Sequence, residues 1–319
     1  MSTQTVNFLG LFKEKKYSTI ISIIENKLTE NQQTSALLNL KGVCRLMMSN
    51  SSESIKLAIE DFRKSYYKEA DKNKLVDPIK NLINSSVIFF ETEFVKNERF
   101  LDHDFFDEII NIYDENKNLF ENNLQLLKAI FKVFKRTLDL KSVIKCLEKT
   151  AQLDPNADAL ASYNLFNNYL NDWSQSEFLK NAQKINDKLV KYPSEELVGL
   201  KTKKNKKINL AFISSDIKSK HSVSYFLRSV LTVYDKEKFV IHLYHNHDKE
   251  DDETTKEFKK YVFKTLHVEK LSDKEVINII RKDEIDIIID LNGFSGNHRL
   301  NLFKNRLAPI QILWCGYTN

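Results

Sequence analysis

The side chains best able to move a proton near neutral pH crowd one end of this sequence. Six of its seven histidines lie beyond residue 220, and imidazole is the group whose ordinary titration range brackets pH 7. Ser214-Ser215-Asp216 is followed five positions after the acid by His221. A loop of that span can bring a carboxylate to an imidazole, where it orients or charge-stabilises a general base. The same two residues also have a plainer reading, as a helix-capping Asp and a solvated histidine. Gly293, in Asn292-Gly293-Phe294-Ser295-Gly296, and Gly316, in Cys315-Gly316-Tyr317-Thr318, suit either a ligand that comes close to the backbone or a tight strand-to-helix turn. His242, His245 and His247 stand beside Asp248, and strand alternation puts His245 and His247 on one face and His242 on the other. With no Cys or further His at ligand spacing, they read as a polar strand end and not a metal centre. His267 reads as structural.

Such residues need a scaffold that gathers strand ends. Beyond residue 200 the apolar residues form short runs: Ile208–Ser214 (INLAFIS), Phe239–His245 (FVIHLYH), a run around Leu266, 285–291 (IDIIIDL) and 310–314 (IQILW). These read as five strands, with helices over 223–234, 272–282 and about 300–303 between them. Near-continuous apolar runs are what strands buried on both faces carry, so a parallel, Rossmann-like α/β sheet is predicted. Ligands of such sheets bind beyond the carboxyl ends of the strands, where strand order reverses. The loops after strands one, four and five are the ones that carry Asp216, Gly293 and Gly316. No glycine fingerprint follows the first strand, which disfavours a nicotinamide-dependent enzyme.

The first 198 residues keep a helical rhythm and contain only Gly10, Gly42, Pro78, Pro155 and Pro193 as breakers. The prolines each follow a helical segment, at intervals of 77 and 38 residues, slightly longer units than the tetratricopeptide period of about 34. Leu127, Phe131 and Phe134 fall at inward positions of one helix, Val143, Leu147 and Ala151 at those of the next, and Ala58 with Phe62 on another. An α-helical, tetratricopeptide-like array is therefore predicted, preferred to an irregular helical domain. Such an array offers a concave surface to an extended peptide and is a binding device. Lys201, Lys203, Lys204, Lys206 and Lys207 read as a solvated linker. The predicted domains are 1–200, helical, and 201–319, Rossmann-like.

Only eight of the 49 basic residues are Arg and the net charge is +5, which argues against nucleic acid as a partner. Three widely spaced cysteines form no CxxC pair and no disulfide framework. Neither a cleavable leader nor an apolar run long enough for a membrane is seen, so no membrane partner and a cytoplasmic location are expected.

Three segments carry a family resemblance: SSD with HSVSYF over 214–226, DLNGFSGNHR over 290–299 and RLAPIQILWCGY over 306–317. They resemble successive motifs in the first catalytic half of the protein O-GlcNAc transferase and SPINDLY family, across about residues 207–319. HSVSYF is closer to the SPINDLY branch, and Tyr163, Asp172 and Trp173 resemble the last repeat and transition region. The resemblance implies an inverting, metal-independent GT-B glycosyltransferase that moves a sugar from a nucleotide donor to protein Ser or Thr. UDP-GlcNAc is the implied donor, with GDP-fucose as the other donor of the wider family, and the repeat array delivers acceptor proteins or peptides. It gives His221 the role of base or substrate positioner and Asp216 that of electrostatic partner or proton acceptor. It places Cys315, Gly316 and Thr318 on the donor side, beside Gly293, a candidate donor- or substrate-binding residue from its place after the fourth strand. Two positions depart from the pattern: the Asp216-to-His221 loop is one residue longer, and Thr318 stands where proline is usual. The second, nucleotide-binding half of that architecture is expected beyond Asn319. On that reading the chain is a fragment, inactive alone; the alternative is a non-catalytic repeat scaffold.

Overall fold

A computed structural model of the protein describes residues 6–95, 104–170, 173–192, 207–247 and 250–316. As far as Lys188 the described residues are helical: α1 (Phe8–Lys13), α2 (Tyr17–Asn26), α3 (Ser35–Met48), α4 (Ser52–Lys68), α5 (Val76–Phe90), α6 (Asp107–Glu115), α7 (Lys117–Glu121), α8 (Leu124–Arg136), α9 (Leu140–Leu153), α10 (Ala157–Asn167) and α11 (Gln175–Lys188). Capping side chains set where several begin: Thr34, Ser51, Asn123, Asp139 and Asn156 each accept a first-turn backbone N–H, satisfying donors that the helix itself leaves unpaired.

Compactness divides the chain into Met1–Asp154 and Pro155–Asn319. The segment 201–206 and Pro193, read as linker and repeat end, lie outside the described residues, and α10 and α11 group with the sheet.

In the first unit successive helices pack as neighbours, α3 on α4 and α8 on α9. Leu127, Phe134, Val143, Leu147, Ala151, Ala58 and Phe62 are all buried, as their spacing predicts, while Phe131 is half-buried. Gly42 of α3 meets the ring of Phe62: an added Cβ would lie 2.6 Å from it, and Phe62 is itself enclosed. Gly42→Ala is therefore expected to destabilise this unit by about 1–3 kcal/mol in urea denaturation. Gly10→Ala would meet only the terminal atoms of the exposed Asn7 side chain, and should leave the midpoint nearly unchanged.

In the second unit five strands, β1 (Ile208–Ser214), β2 (Phe239–His245), β3 (Lys264–His267), β4 (Ile287–Asp290) and β5 (Ile310–Leu313), form one parallel sheet in the order β3-β2-β1-β4-β5. The helices α12 (Ser222–Val233), α13 (Glu253–Phe258), α14 (Asp273–Lys282) and α15 (Leu300–Lys304) connect the strands. Strand alternation sends Ala211 and Ile213 to one core with Val276, Ile280 and Leu302, and Phe212 to the other with Val223, Leu227 and Phe258. Thus α14 and α15 cover one face and α12 and α13 the other. Strand order reverses between β1 and β4, the position predicted for a ligand site.

Candidate active site

The loops leaving β1 and β4 are tied together by one side chain, Asn292. Its Oδ1 accepts the Ser215 backbone N–H (2.9 Å), and its Nδ2 donates to Ser215 Oγ (2.8 Å) and Asp216 Oδ2 (3.1 Å). Ser214, Ser215 and Asn292 are buried. On the far side of the first loop, His247 Nε2 donates to the Ile217 carbonyl (3.2 Å) and Asp252 accepts from the Ser219 N–H (2.5 Å). The loop bearing Asp216 is thus held from both neighbouring strand ends.

Asp216 and His221 come together. His221 Nε2 lies 3.5 Å from Asp216 Oδ1, with both side chains partly accessible. Within this loop the Lys220 backbone turns left-handed (φ 58°), a conformation costing an L-residue roughly 1 kcal/mol. His221 also caps α12, its Nδ1 accepting the Val223 N–H at 3.4 Å. The capping reading given to the acid by sequence therefore belongs to the histidine. With Nδ1 engaged as acceptor, a neutral ring carries its proton on Nε2, facing Asp216. Lys218 reaches the same carboxylate oxygen from closer, at 3.1 Å.

The glycines have internal reasons. Gly293 adopts φ 57°, and its N–H, like that of Asn292, donates to the Asp290 carboxylate (3.1 and 2.9 Å). A Cβ on Gly316 would lie 2.6 Å from Gly293 N and 2.7 Å from Asn292 C, so backbone from β4's loop occupies the space beside it. Cys315 precedes it with φ 59°, exposed, its thiol pushed up by burial. Thr318 lies outside the described residues.

Burial pushes Asp290 up to about 6, against the pull of its two N–H donors. Folding therefore takes up a proton that the unfolded chain, near its ordinary 3.8, releases. That stabilisation is fully present below about pH 4 and is lost as pH rises through 6, a change of about 3 kcal/mol. Relative to Asp290→Asn, the protein should gain stability between pH 7 and pH 5 in parallel denaturant titrations; parallel pH dependences would refute this.

A third group assembles from the strand pairing. His245 and His267 are register partners on β2 and β3; their rings lie 5.0 Å apart, and that of His247 lies 5.7 and 5.4 Å from them. His242 lies instead against Tyr244 and Phe263. Burial, then His267 and His247, drive His245 down to about 3, while Lys259, with help from His267, holds Asp251 down at about 2. His267 pairs with Asp251 at 3.0 Å. Among the described residues no three His, Cys, Asp or Glu side chains are posed to hold a metal ion, and no helix is long and apolar enough to cross a membrane. Between this group and Asp216 lies a cleft of about 650 Å³, lined by Ser215, Lys218, Asn246, His247, Asn297 and His298 among others.

Sequence reasoning placed Asp216, His221, Gly293, Cys315 and Gly316 correctly at the strand ends but passed over Asn292 and Lys218 as site residues. Asn292 sits in the DLNGFSGNHR segment, and Lys218 lies in the Asp216-to-His221 loop, with no sequence signal pointing to its ammonium.

Residues 179–319 match the family model described as Glycosyl transferase family 41. A probable UDP-N-acetylglucosamine–peptide N-acetylglucosaminyltransferase SPINDLY from Arabidopsis thaliana is 35% identical over 116 residues, 35% of this chain and 12% of that protein. The rice protein of the same name is 26% identical over 182 residues, 55% of this chain and 19% of its own length. The fold is similar to that of a solved Thermobaculum terrenum O-GlcNAc transferase mutant, with a TM-score of 0.58 at 16% identity, over 99% of this chain and 52% of that one. At that identity the likeness concerns the fold. The matches thus span well under a quarter of the two plant proteins and about half of the solved chain.

Proposed function

We propose, from a chain whose residues 179–319 form a glycosyl transferase family 41 domain, that the protein moves a sugar from a nucleotide donor to Ser or Thr hydroxyls of other proteins. UDP-GlcNAc is the donor that the plant relatives' names supply, with GDP-fucose as the alternative. The acceptors are protein segments held by the helical repeats, and the reaction runs in the cytoplasm. The observation that carries the reading is the Asp216–His221 pair at the strand-order reversal, 3.5 Å apart and partly accessible.

In such a transfer the acceptor hydroxyl oxygen bonds to the anomeric carbon as the bond from that carbon to the diphosphate oxygen breaks. The hydroxyl proton passes to a base, and the nucleoside diphosphate leaves with the electron pair. The hydrogen bonding supports one division of roles: His221 Nδ1 is occupied by Val223 and its Nε2–H faces the carboxylate. His221 is then the positioning donor and Asp216 the proton acceptor, its other oxygen steadied by Asn292. Gly293, Cys315 and Gly316 shape the adjoining strand ends, and Thr318, outside the described residues, keeps the donor-side role that the resemblance implies.

The test is to incubate the protein with each labelled sugar nucleotide and candidate acceptor proteins, then locate label on Ser or Thr by mass spectrometry. Label from UDP-GlcNAc supports the reading, and label from GDP-fucose alone changes the donor. Label from neither, also when the chain is supplied together with a nucleotide-binding second half, and with retained binding of acceptor peptides, favours a non-catalytic scaffold, the reading suggested by the separate compactness of Met1–Asp154.

A further inference from the structure

The closest cation to Asp216 is not the imidazole. Lys218 Nζ is 3.1 Å from Asp216 Oδ1, against 3.5 Å for His221 Nε2, and both address the same oxygen. With both donors on it, that oxygen has little room left to accept from a substrate hydroxyl. Yet the lysine is loosely committed. Its backbone N–H is fixed by Ser224 Oγ at 2.9 Å, whereas its ammonium has among the described residues, besides Asp216, only the Ser215 carbonyl at 3.5 Å. Its side chain is 34% exposed and lines the 650 Å³ cleft. The other cation of that lining, Arg299, is engaged by Asp273 and by the Val268 and Leu271 carbonyls.

The walls of the cleft also hold buried polar atoms. Nδ1 of His247 and Nδ1 of His298 are buried and have no hydrogen-bond partner among the described residues. Asn246, Asn297 and Ser215 add neutral hydrogen-bonding groups. Two acids, Asp158 and Glu269, stand in the same lining; Asp158 is largely solvated, 3.5 Å from His298 Nε2. Lys218 is the lining's available positive charge.

We propose that Lys218 is a ligand-gated positioning residue: its ammonium exchanges Asp216 for the phosphate oxygens of an entering diphosphate, releasing the carboxylate to His221. A diphosphate carries more negative charge than a single carboxylate and offers several acceptor oxygens, and a four-carbon stem lets the ammonium turn between them. Binding of the donor's leaving group thereby frees the base that the reaction needs. This rests on the nucleotide-sugar reading of the site.

The test uses inorganic pyrophosphate and UDP as probes, with calorimetry and the imidazole NMR signals of His221, on the wild-type protein, Lys218→Met and Lys218→Arg, each matched for thermal midpoint. Both probes should bind the wild type and move the His221 signals. Lys218→Met should bind roughly ten- to a hundredfold more weakly with unmoved His221 signals, and Lys218→Arg should recover most of the affinity. Equal affinity in Lys218→Met, or a wild type that binds neither probe, overturns the proposal. Probe binding lost in Lys218→Met from a protein that transfers no sugar leaves the lysine site standing and removes the transferase reading; transfer without lysine-dependent binding does the reverse.

Discussion

Replacing His221 with Ala is expected to lower sugar transfer by roughly two to four orders of magnitude with the sheet intact. Because His221 also caps α12, Ala carries a second effect, about 1 kcal/mol of lost helix capping. His221→Asn separates the two: Asn is among the best capping residues and can accept the Val223 N–H, but it carries no imidazole to face Asp216. If His221 acts in the chemistry, both variants lose transfer and Asn restores the unfolding midpoint. Recovery of transfer in His221→Asn would reduce the residue to a helix cap. A loss confined to KM in both variants would make it a binding residue only.

The second large effect is on folding. Gly316→Ala is expected to destabilise the sheet unit by about 3 kcal/mol in denaturant melts. The atoms an added Cβ would strike are backbone, Gly293 N and Asn292 C, and they cannot rotate away as the end of a side chain can. Relief requires the β4 loop to shift, carrying Asn292 off Ser215 and Asp216. Transfer should therefore fall beyond what the remaining folded fraction explains. Gly296→Ala is the control, since nothing lies within 4 Å of its added Cβ, and it should melt like the wild type. Equal melting of the Gly316 and Gly296 variants would show that the two loops are not in contact.

What could be read from the sequence follows from how local the cause is. Strands buried on both faces announce themselves as apolar runs, so β1 and β2 fall where predicted, and β4 lies inside the longer run 285–291. Inward positions four apart on a helix report burial because the helix alone sets their direction, as Ala58 and Phe62 do. His267 could not be paired with His245 from sequence, since no nearby residue encodes which β3 position stands opposite which β2 position; the register supplies that. Asn292 carried no signal of its own because its partners are distant in the chain. For Gly316 sequence left a close ligand and a tight turn both open, and the structure adds a third reason, the approach of the β4 loop's own backbone. Lys218 carried no signal either, since its place in a loop does not say where an ammonium points.

The bond from Ser215 N–H to Asn292 spans 77 positions, which has a consequence for how the protein reaches its native state. Closing so long a loop costs entropy before any contact repays it, and pairing between distant segments is slow. The helical unit, built from neighbours in sequence, should gain protection early in a pulse-labelled refolding experiment. The amides of Ser215 and Asn292 should be among the last protected. The reacting pair would then be assembled only after most of the chain has folded, so a nascent or misfolded molecule is inert by default.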